Sequence, residues 1–272
     1  MKIATWNVNG IRARGEQVLD FVQREQPDVL CLQEIKAAEA QVPEALAALD
    51  GYVTYWHGHK GYSGVALLLR KDAFAGKPVF EHPPFDHETR IVTARLDPGG
   101  LLVASIYVPN GGKDFAAKVR FLEALDAFAE AERARGTQLV LCGDYNVARE
   151  ERDVHPSLRN LDQIGQTPAE RALLERLIGR GLVDLSRRFH PDDDQLFTWW
   201  APWRNLRQKN VGWRLDYVLA SEGLAARATA CEALREIGTS DHGPVIASLD
   251  LPKPEQQPPL QDAPARGQLK LI

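Results

Sequence analysis

The stretch DVLCLQEIK, residues 28–36, decides the fold of this chain. Its apolar run, VLCL, does not alternate with polar residues, and such a run is typical of a strand covered on both faces. Glu34 then stands where the strand should end, and an unpaired carboxylate beside a hydrophobic sheet is costly. The stretch therefore predicts a sheet buried between other layers and a positively charged partner for Glu34.

Similar apolar or β-branched runs recur along the chain. Together they predict eight strands: KIATWNV (2–8), DVLCLQ (28–33), GVALLLR (64–70), RIVTARL (90–96), LLVASIYV (101–108), QLVLCGD (138–144), RLDYVLA (214–220) and GPVIASLDL (243–251). Residues 115–134 place Phe121, Leu125 and Phe128 on one helical stripe. TPAE, residues 167–170, forms a capping box with proline at the first helical position. The pattern predicts a four-layer α/β sandwich, with two mixed β-sheets packed face to face and helices outside.

The composition limits the function classes. With 272 residues and 44% hydrophobic content, the chain can bury a large core, and we predict one catalytic domain over residues 1–251. Residues 252–272 are rich in proline and predict a flexible tail. The net charge of -4 gives no global sign of nucleic-acid binding, so a polyanion would need a local basic face or metal ions.

Cysteine usage and hydropathy indicate the compartment. The three cysteines are an odd number and show no CxxC pairing, so neither disulfides nor structural zinc are expected. No apolar run approaches the ~18 residues that span a bilayer, and no apolar leader precedes the first predicted strand. We therefore predict a cytoplasmic protein without a membrane segment.

Polar and aromatic residues stand at the ends of the predicted strands. They are Asn7, Glu34, Tyr107, Asn110, Asp144, Asn146, Trp213, Asp216, Asp241 and His242. Side chains at strand ends project into a shared crevice in open α/β proteins. Each alone could be a turn or a core residue. Together, Glu34, Asp144, Asn146 and Asp241 are oxygen donors, which suit a hard cation such as Mg²⁺ or Mn²⁺.

Six blocks of sequence carry a resemblance to a known family. In chain order they are WNVNGIRA (6–13), LQEIK (32–36), YVPNGG (107–112), GDYNVA (143–148), NVGWRLDY (210–217) and SDHGP (240–244). In these blocks the chain resembles the exonuclease III family of abasic-site endonucleases, within the endonuclease/exonuclease/phosphatase superfamily. The resemblance covers residues 1 to about 250 and leaves the tail outside.

The resemblance implies a role for each matching residue. The implied catalytic residues are Tyr107, Asp144, Asn146, Asp216 and His242. The implied ligands of Mg²⁺ or Mn²⁺ are Asn7, Glu34, Asp144, Asn146, Asp241 and His242. The implied substrate-binding residues are Asn9, Asn110, Lys113, Trp199, Trp213 and Leu215. The implied reaction is cleavage of the phosphodiester 5′ to an abasic site in double-stranded DNA, leaving a 3′-hydroxyl, with 3′–5′ exonuclease and 3′-end trimming as further activities.

Other interpretations stay open at this stage. Deoxyribonuclease I-like nucleases, inositol polyphosphate phosphatases and sphingomyelinases share much of this machinery. A non-catalytic DNA- or clamp-binding module is a third interpretation, although the full set of acids argues against it. The final QLKLI resembles a peptide that binds the bacterial sliding clamp, so Gln268, Leu269, Leu271 and Ile272 are predicted clamp contacts. We also predict a monomer, associated with the bacterial nucleoid.

Overall fold

The computed structural model describes residues 1–96 and 100–251, which contain two six-stranded sheets. The strands are β1 Lys2–Asn7, β2 Val29–Gln33, β3 Tyr52–His59, β4 Tyr62–Arg70, β5 Val79–Glu81, β6 Ile91–Leu96, β7 Leu101–Tyr107, β8 Gln138–Asp144, β9 Leu182–Asp184, β10 Asp216–Ser221, β11 Ala228–Ala233 and β12 Val245–Leu249. The helices are α1 Ile11–Glu25, α2 Glu44–Ala47, α3 Phe115–Ala134, α4 Pro168–Ile178, α5 Leu185–Phe189 and α6 Glu222–Ala225. The predicted tail, with the four residues predicted to contact a clamp, lies outside the described residues.

The two sheets have the same internal arrangement. Their strand orders are β11-β12-β1-β2-β4-β3 and β5-β6-β7-β8-β10-β9. In each sheet the only parallel pair within the described chain is central, β1 with β2 and β7 with β8, and the flanking strands are antiparallel. The strands β2 and β8 therefore occupy equivalent positions, which explains why both are apolar runs that finish in an acid.

Strand β2 is covered on both faces. Val29 and Cys31 belong to the core between the two sheets, whereas Leu30 and Leu32 pack with α1 residues on the outer face. A second outer cluster joins the other sheet to α3 and α4. Apolar residues at successive positions thus fill two different layers, and the predicted four-layer sandwich is confirmed.

Both predicted helices form as expected. The 115–134 pattern becomes α3, which buries Phe121 and Leu125 and leaves Phe128 partly buried. The capping box also forms, because Thr167 Oγ1 accepts a hydrogen bond from the Glu170 backbone N–H. Helix α1 carries no side-chain cap, and the sequence did not predict it. Within the described part of the chain, no helix combines the length and hydropathy needed to cross a membrane.

A buried cluster of charges fixes the segment that leads into β10. The Arg214 guanidinium donates to both carboxylate oxygens of Asp153 at 2.8 Å and to Asp184 at 2.7 Å. Arg187 adds a further bond to Asp153. Burial alone would raise the pKa of Asp153, but Arg214 and Arg187 lower it below its ordinary value of 3.8. The backbone on either side of Arg214, which carries Trp213 and Asp216, is thereby anchored.

We expect Asp153→Asn to lower the free energy of unfolding by about 2 kcal/mol at pH 7, because a buried charged hydrogen bond is lost. A carboxylate with a lowered folded pKa stabilises the protein above its unfolded pKa, and this stability disappears as the pH falls through the folded value. Urea unfolding should be measured from pH 7 to pH 3. The free energies of unfolding of the wild type and of Asp153→Asn should become equal only below about pH 4. Convergence already complete at pH 5 would contradict this assignment.

Candidate active site

The site lies where the parallel strands of the two sheets end. Asn7 and Tyr107 are the last residues of β1 and β7, and Asp144 is the last residue of β8. Glu34 follows β2 by one residue. The Asn7 side-chain amide donates to Asp144 Oδ2 at 2.9 Å, so a buried hydrogen bond joins the two sheets at this edge.

Four residues around this edge have an unusual backbone. Asn9, Glu34, Lys36 and Asn146 all have φ between 45° and 53°. Such left-handed conformations are uncommon for residues other than glycine and tend to occur at functional sites. They turn the chain sharply after the strands, and the Glu34 and Asn146 side chains face a common space.

That space is a cavity of about 580 Å³. The predicted residues that line it are Glu34, Tyr107, Asn110, Asp144, Asn146, Trp199, Trp213, Leu215, Asp241 and His242. Gly112, Gln163 and Ile164 also line it and were not predicted. Residues as distant in sequence as Glu34 and His242 therefore face the same cavity.

Asp144 is the most constrained acid of the cavity. Its Oδ1 accepts the Asn146 backbone N–H at 2.8 Å, and its Oδ2 lies 3.8 Å from His242 Nε2. Burial raises the pKa of Asp144 to about 7, and Asp216 adds to this, while His242, Asn146 and Asn7 oppose it. A carboxylate with a pKa near 7 can accept a proton at neutral pH.

His242 is held by Asp216. The Nδ1 of His242 lies 2.8 Å from Asp216 Oδ2, and the same oxygen accepts the Thr198 hydroxyl at 2.6 Å. Burial lowers the pKa of His242, but the carboxylates of Asp216 and Asp144 outweigh it and raise the pKa to about 10. His242 is therefore an imidazolium at neutral pH, with Nε2–H directed toward Asp144.

Tyr107 rests on an arginine that the sequence did not single out. The Arg90 guanidinium lies 4.6 Å from the Tyr107 ring centroid, and the Arg90 carbonyl accepts the Tyr107 backbone N–H at 2.8 Å. Burial, Glu34 and Asp144 raise the pKa of Tyr107 well above its ordinary value. Because its pKa is raised, Tyr107 carries a hydroxyl rather than a phenolate at neutral pH.

A polar chain connects the remaining acids. Asp241 accepts hydrogen bonds from the Asn9 amide at 2.8 Å and from the Trp199 indole at 3.0 Å. Lys36 Nζ lies 2.8 Å from Glu34 Oε1 and donates to Asn9 Oδ1 at 2.6 Å. Asn9 therefore lies beside the cavity rather than in its lining.

The donor set fits a hard divalent cation. Oxygen atoms of Glu34, Asp144 and Asp241 face one cavity, and among the residues that the structure describes no thiolate lines it. The Lys36 ammonium already pairs with Glu34. Asp144, Asp216 and His242 also form a compact group with ligand atoms within 4.8 Å. In that group Asp216 Oδ2 already has hydrogen bonds with Thr198 and His242. Asp216 is therefore placed to orient the His242 imidazole rather than to bind a metal ion.

An aromatic wall closes one side of the cavity. The rings of Trp199 and Trp213 meet edge to face, with centroids 5.6 Å apart, and Leu215 belongs to the same cluster. The neighbouring Trp200 is almost fully buried, whereas Trp199 is partly exposed to the cavity. Of the two adjacent tryptophans, the second is therefore the core residue.

Some predicted residues lie elsewhere. Lys113 is exposed in the loop before α3 and does not line the cavity. Asn7 lies behind the cavity, where its Oδ1 accepts the Asn9 backbone N–H at 3.0 Å, so it orients Asp144. The Arg207 side chain donates to the backbone carbonyls of Arg235, Ser240 and Ile237. Its guanidinium is committed to the fold.

The fold and the cavity define a phosphoesterase class, and the chain belongs to the endonuclease/exonuclease/phosphatase family, whose model matches residues 4–242. Within that family the predicted resemblance to the exonuclease III group is confirmed. The chain is 37% identical to the DNA repair nuclease APEX1 of Danio rerio, over 92% of this chain and 82% of that protein. It is 32% identical to an exodeoxyribonuclease of Bacillus subtilis, over 92% of this chain and 100% of that protein.

A solved structure supports the same placement. The 3′ phosphatase NExo from Neisseria, bound to a product DNA hairpin, superposes with a TM-score of 0.83. The two sequences are 32% identical, and the match covers 92% of this chain and 100% of that one. The overall fold is therefore shared with a DNA-processing enzyme.

Proposed function

We propose that this protein is a metal-dependent DNA repair hydrolase that cuts the phosphodiester 5′ to an abasic site and leaves a 3′-hydroxyl. The observation that carries the proposal is the pairing of Asp144 with the Asp216-held His242 in the cavity that Glu34 also lines. Relatives named as DNA repair nuclease and exodeoxyribonuclease support it. The neighbour named as a 3′ phosphatase supports 3′-end processing as a further activity.

The residues of the cavity take up the proton of the attacking water and stabilise the charge on the phosphate. Asp144 Oδ2 accepts a proton from the water that attacks phosphorus, and the bond from phosphorus to the 3′-oxygen breaks. The leaving 3′-oxygen takes a proton from solvent. His242 Nε2–H, the Asn146 amide and the Tyr107 hydroxyl donate to the phosphate oxygens, where negative charge grows in the transition state.

Mg²⁺ or Mn²⁺ would be held by Glu34, with Asp144 and Asp241 as further oxygen ligands and Asn146 at the same edge. Asn7 keeps Asp144 in place through its amide. When bound, such an ion supplies positive charge that stabilises the phosphate oxygens. Lys36 already pairs with Glu34, and this ion would add a second positive charge beside the carboxylate that follows the buried strand.

We assign selection of the abasic site to the aromatic wall. An extrahelical sugar without a base is the least costly nucleotide to move out of a duplex, and it presents a small apolar surface. Trp213 and Leu215 offer a matching apolar surface at one side of the cavity, and Trp199 completes it.

Gly165 keeps this wall in place. Its φ is +91°, and a Cβ there would lie 2.9 Å from the Trp213 ring and 3.2 Å from the Asn146 carbonyl oxygen. We expect Gly165→Ala to push Trp213 toward the cavity and to lower kcat/KM on an abasic duplex about tenfold, since small misplacements in a site are costly. Gly51→Ala is the matched control, because Gly51 has φ +76° and no atom within 4 Å of its Cβ position. Equal rates for the two variants would refute the steric role of Gly165.

The proposal is tested with a duplex that carries one synthetic abasic site. We expect a single cut 5′ to the site with Mg²⁺, no cut after EDTA treatment, and recovery when Mg²⁺ is restored in excess. Cleavage that persists in EDTA, or intact DNA under every condition, would remove the proposal. Parallel rates on recessed 3′ ends and on 3′-phosphate ends would measure the further activities.

The other interpretations make different predictions in the same assay. A superfamily phosphoesterase with another substrate would leave the duplex intact but hydrolyse a small phosphodiester with Mg²⁺. A non-catalytic module would bind DNA without either reaction, yet the acids, His242 and the aromatic wall all meet in one cavity. Cytoplasmic location, nucleoid association, a monomeric state and clamp binding by the last residues stay predictions from the sequence.

A further inference from the structure

A second group of metal-ligating side chains lies apart from the cavity. One nitrogen each of His57 and His82 and one carboxylate oxygen of Asp86 lie within 4.8 Å of one another. His57 belongs to β3, His82 follows β5, and Asp86 closes a turn through its backbone N–H to the Pro83 carbonyl. None of the three lines the catalytic cavity.

The three side chains are held in position by their surroundings, and His82 Nε2 lies 3.0 Å from the Tyr55 hydroxyl oxygen. His57 Nε2 lies 2.5 Å from Asp86 Oδ2, and the two imidazole centroids are 3.7 Å apart. Asp86 Oδ1 accepts the backbone N–H groups of Arg90 at 2.8 Å and Ile91 at 3.1 Å, which turns Oδ2 toward His57. Outer hydrogen bonds of this kind orient metal ligands.

The donor chemistry differs from that of the catalytic cavity. Two imidazole nitrogens and one carboxylate oxygen suit Zn²⁺ and the neighbouring late transition metals, whereas Mg²⁺ prefers oxygen ligands alone. The group can be reached from solvent, since His82 is exposed and the side chains of His57 and Asp86 are 12% and 13% exposed. When both imidazoles are neutral, the only charge of the three-residue group is the negative charge of the Asp86 carboxylate.

We infer that His57, His82 and Asp86 bind one Zn²⁺-class ion, with water completing the coordination. The hydrogen bond between His57 Nε2 and Asp86 Oδ2 occupies the position that the ion would take. In a tetrahedral site with bonds of about 2.0 Å, two ligand atoms lie about 3.3 Å apart. When the ion binds, the neutral His57 imidazole carries its proton on Nδ1 instead of Nε2, so that Nε2 offers its lone pair to the ion. The two side chains move apart by less than about 1 Å.

This site is coupled to the catalytic cavity by the main chain. Asp86 accepts the N–H of Arg90, and Arg90 supports Tyr107 through both its carbonyl and its guanidinium. An ion at this position fixes the segment that carries Arg90. Its role is to stabilise the structure behind Tyr107, which differs from the role of an ion that contacts the phosphate.

The test uses the full chain, stripped by chelation and kept in excess Mg²⁺, with Co²⁺ as spectroscopic probe and Zn²⁺ as stabilising ligand. Removing a residue that hydrogen-bonds to a metal ligand lowers metal affinity roughly 10- to 100-fold, and removing a ligand itself lowers it further. His82→Ala should therefore weaken Co²⁺ binding about a hundredfold or more. His59→Ala is the matched control, since His59 is an exposed histidine of the same strand as His57.

We expect the wild type and His59→Ala to bind one equivalent of Co²⁺ with visible d–d absorption, and His82→Ala to lack it. Zn²⁺ at about a hundredfold excess over Kd should raise Tm by about 5 °C in the first two proteins only. If Co²⁺ binding and the Tm shift with Zn²⁺ were the same in all three proteins, the ion would bind elsewhere and the inference would be overturned. The readouts do not need DNA cleavage, so they are independent of the proposed function.

Discussion

Asp144→Asn is expected to lower the single-turnover rate of abasic-site cleavage by about a thousandfold, because a general base of this kind contributes 10²- to 10⁴-fold. Asparagine keeps the size of the side chain but cannot accept the proton of the attacking water. Hydrogen bonds from Asn7 and Asn146 hold the side chain at position 144 in place, so the affinity for the duplex should change by only a few fold. Asp20→Asn, an exposed acid of α1, is the matched control.

His242→Asn should lower the same rate by about 10²- to 10³-fold, which is the usual cost of one donor to a developing oxyanion. The single-turnover rate of the double variant should be at most about tenfold lower than that of Asp144→Asn alone, because the two side chains act on one transition state. Duplex affinity is measured by fluorescence anisotropy beside the rates. Near-normal turnover by either single variant would mean that the catalytic pair is assigned to the wrong residues.

The central strands were predictable from the sequence and the edge strands were not. The eight predicted strands correspond to the eight inner strands of the two sheets. The four that were missed, β3, β5, β9 and β11, are the four edges. An inner strand packed between layers needs an apolar run, whereas an edge strand has one unpaired side and tolerates polar residues such as those of β3.

From the residue pattern alone, the site was predictable only where residues stand at strand ends, whereas Trp199 and Leu215 were predicted from the family resemblance. Glu34 and Asp144 follow apolar runs and were found in this way. Arg90 and Thr198 act through partners that are distant in sequence, Tyr107 and Asp216, and no local pattern marks them. The left-handed backbone at Glu34 is likewise visible only in three dimensions. The missing part of the prediction is therefore the set of supporting contacts.

One such contact is a buried ion pair beneath the cavity. Lys118 of α3 and Glu170 of α4 form a salt bridge in which both side chains are 0% exposed. Lys118 Nζ also donates to the carbonyl oxygens of Asn146 at 2.7 Å and Asn110 at 3.2 Å. The Glu170 carboxylate accepts the Gly165 N–H at 2.8 Å. The pair thus ties together three loops that form the cavity.

Lys118→Met should lower the free energy of unfolding by about 3–5 kcal/mol, because it leaves the Glu170 carboxylate buried without its cation. We also expect kcat to fall about tenfold, since the loops of Asn110 and Asn146 lose their common donor. Urea unfolding and single-turnover rates measure the two effects. Lys77→Met, at an exposed position, controls for the loss of a lysine and should change neither.

The double variant Lys118→Met/Glu170→Leu separates stability from positioning. Replacing both charges of a buried pair by apolar groups is often nearly neutral, so much of the lost stability should return. The rate should stay low, because neither apolar side chain can donate to the Asn146 and Asn110 carbonyls or accept from Gly165. If cleavage recovered together with stability, the ion pair would serve only the fold, and the loops would hold their geometry without it.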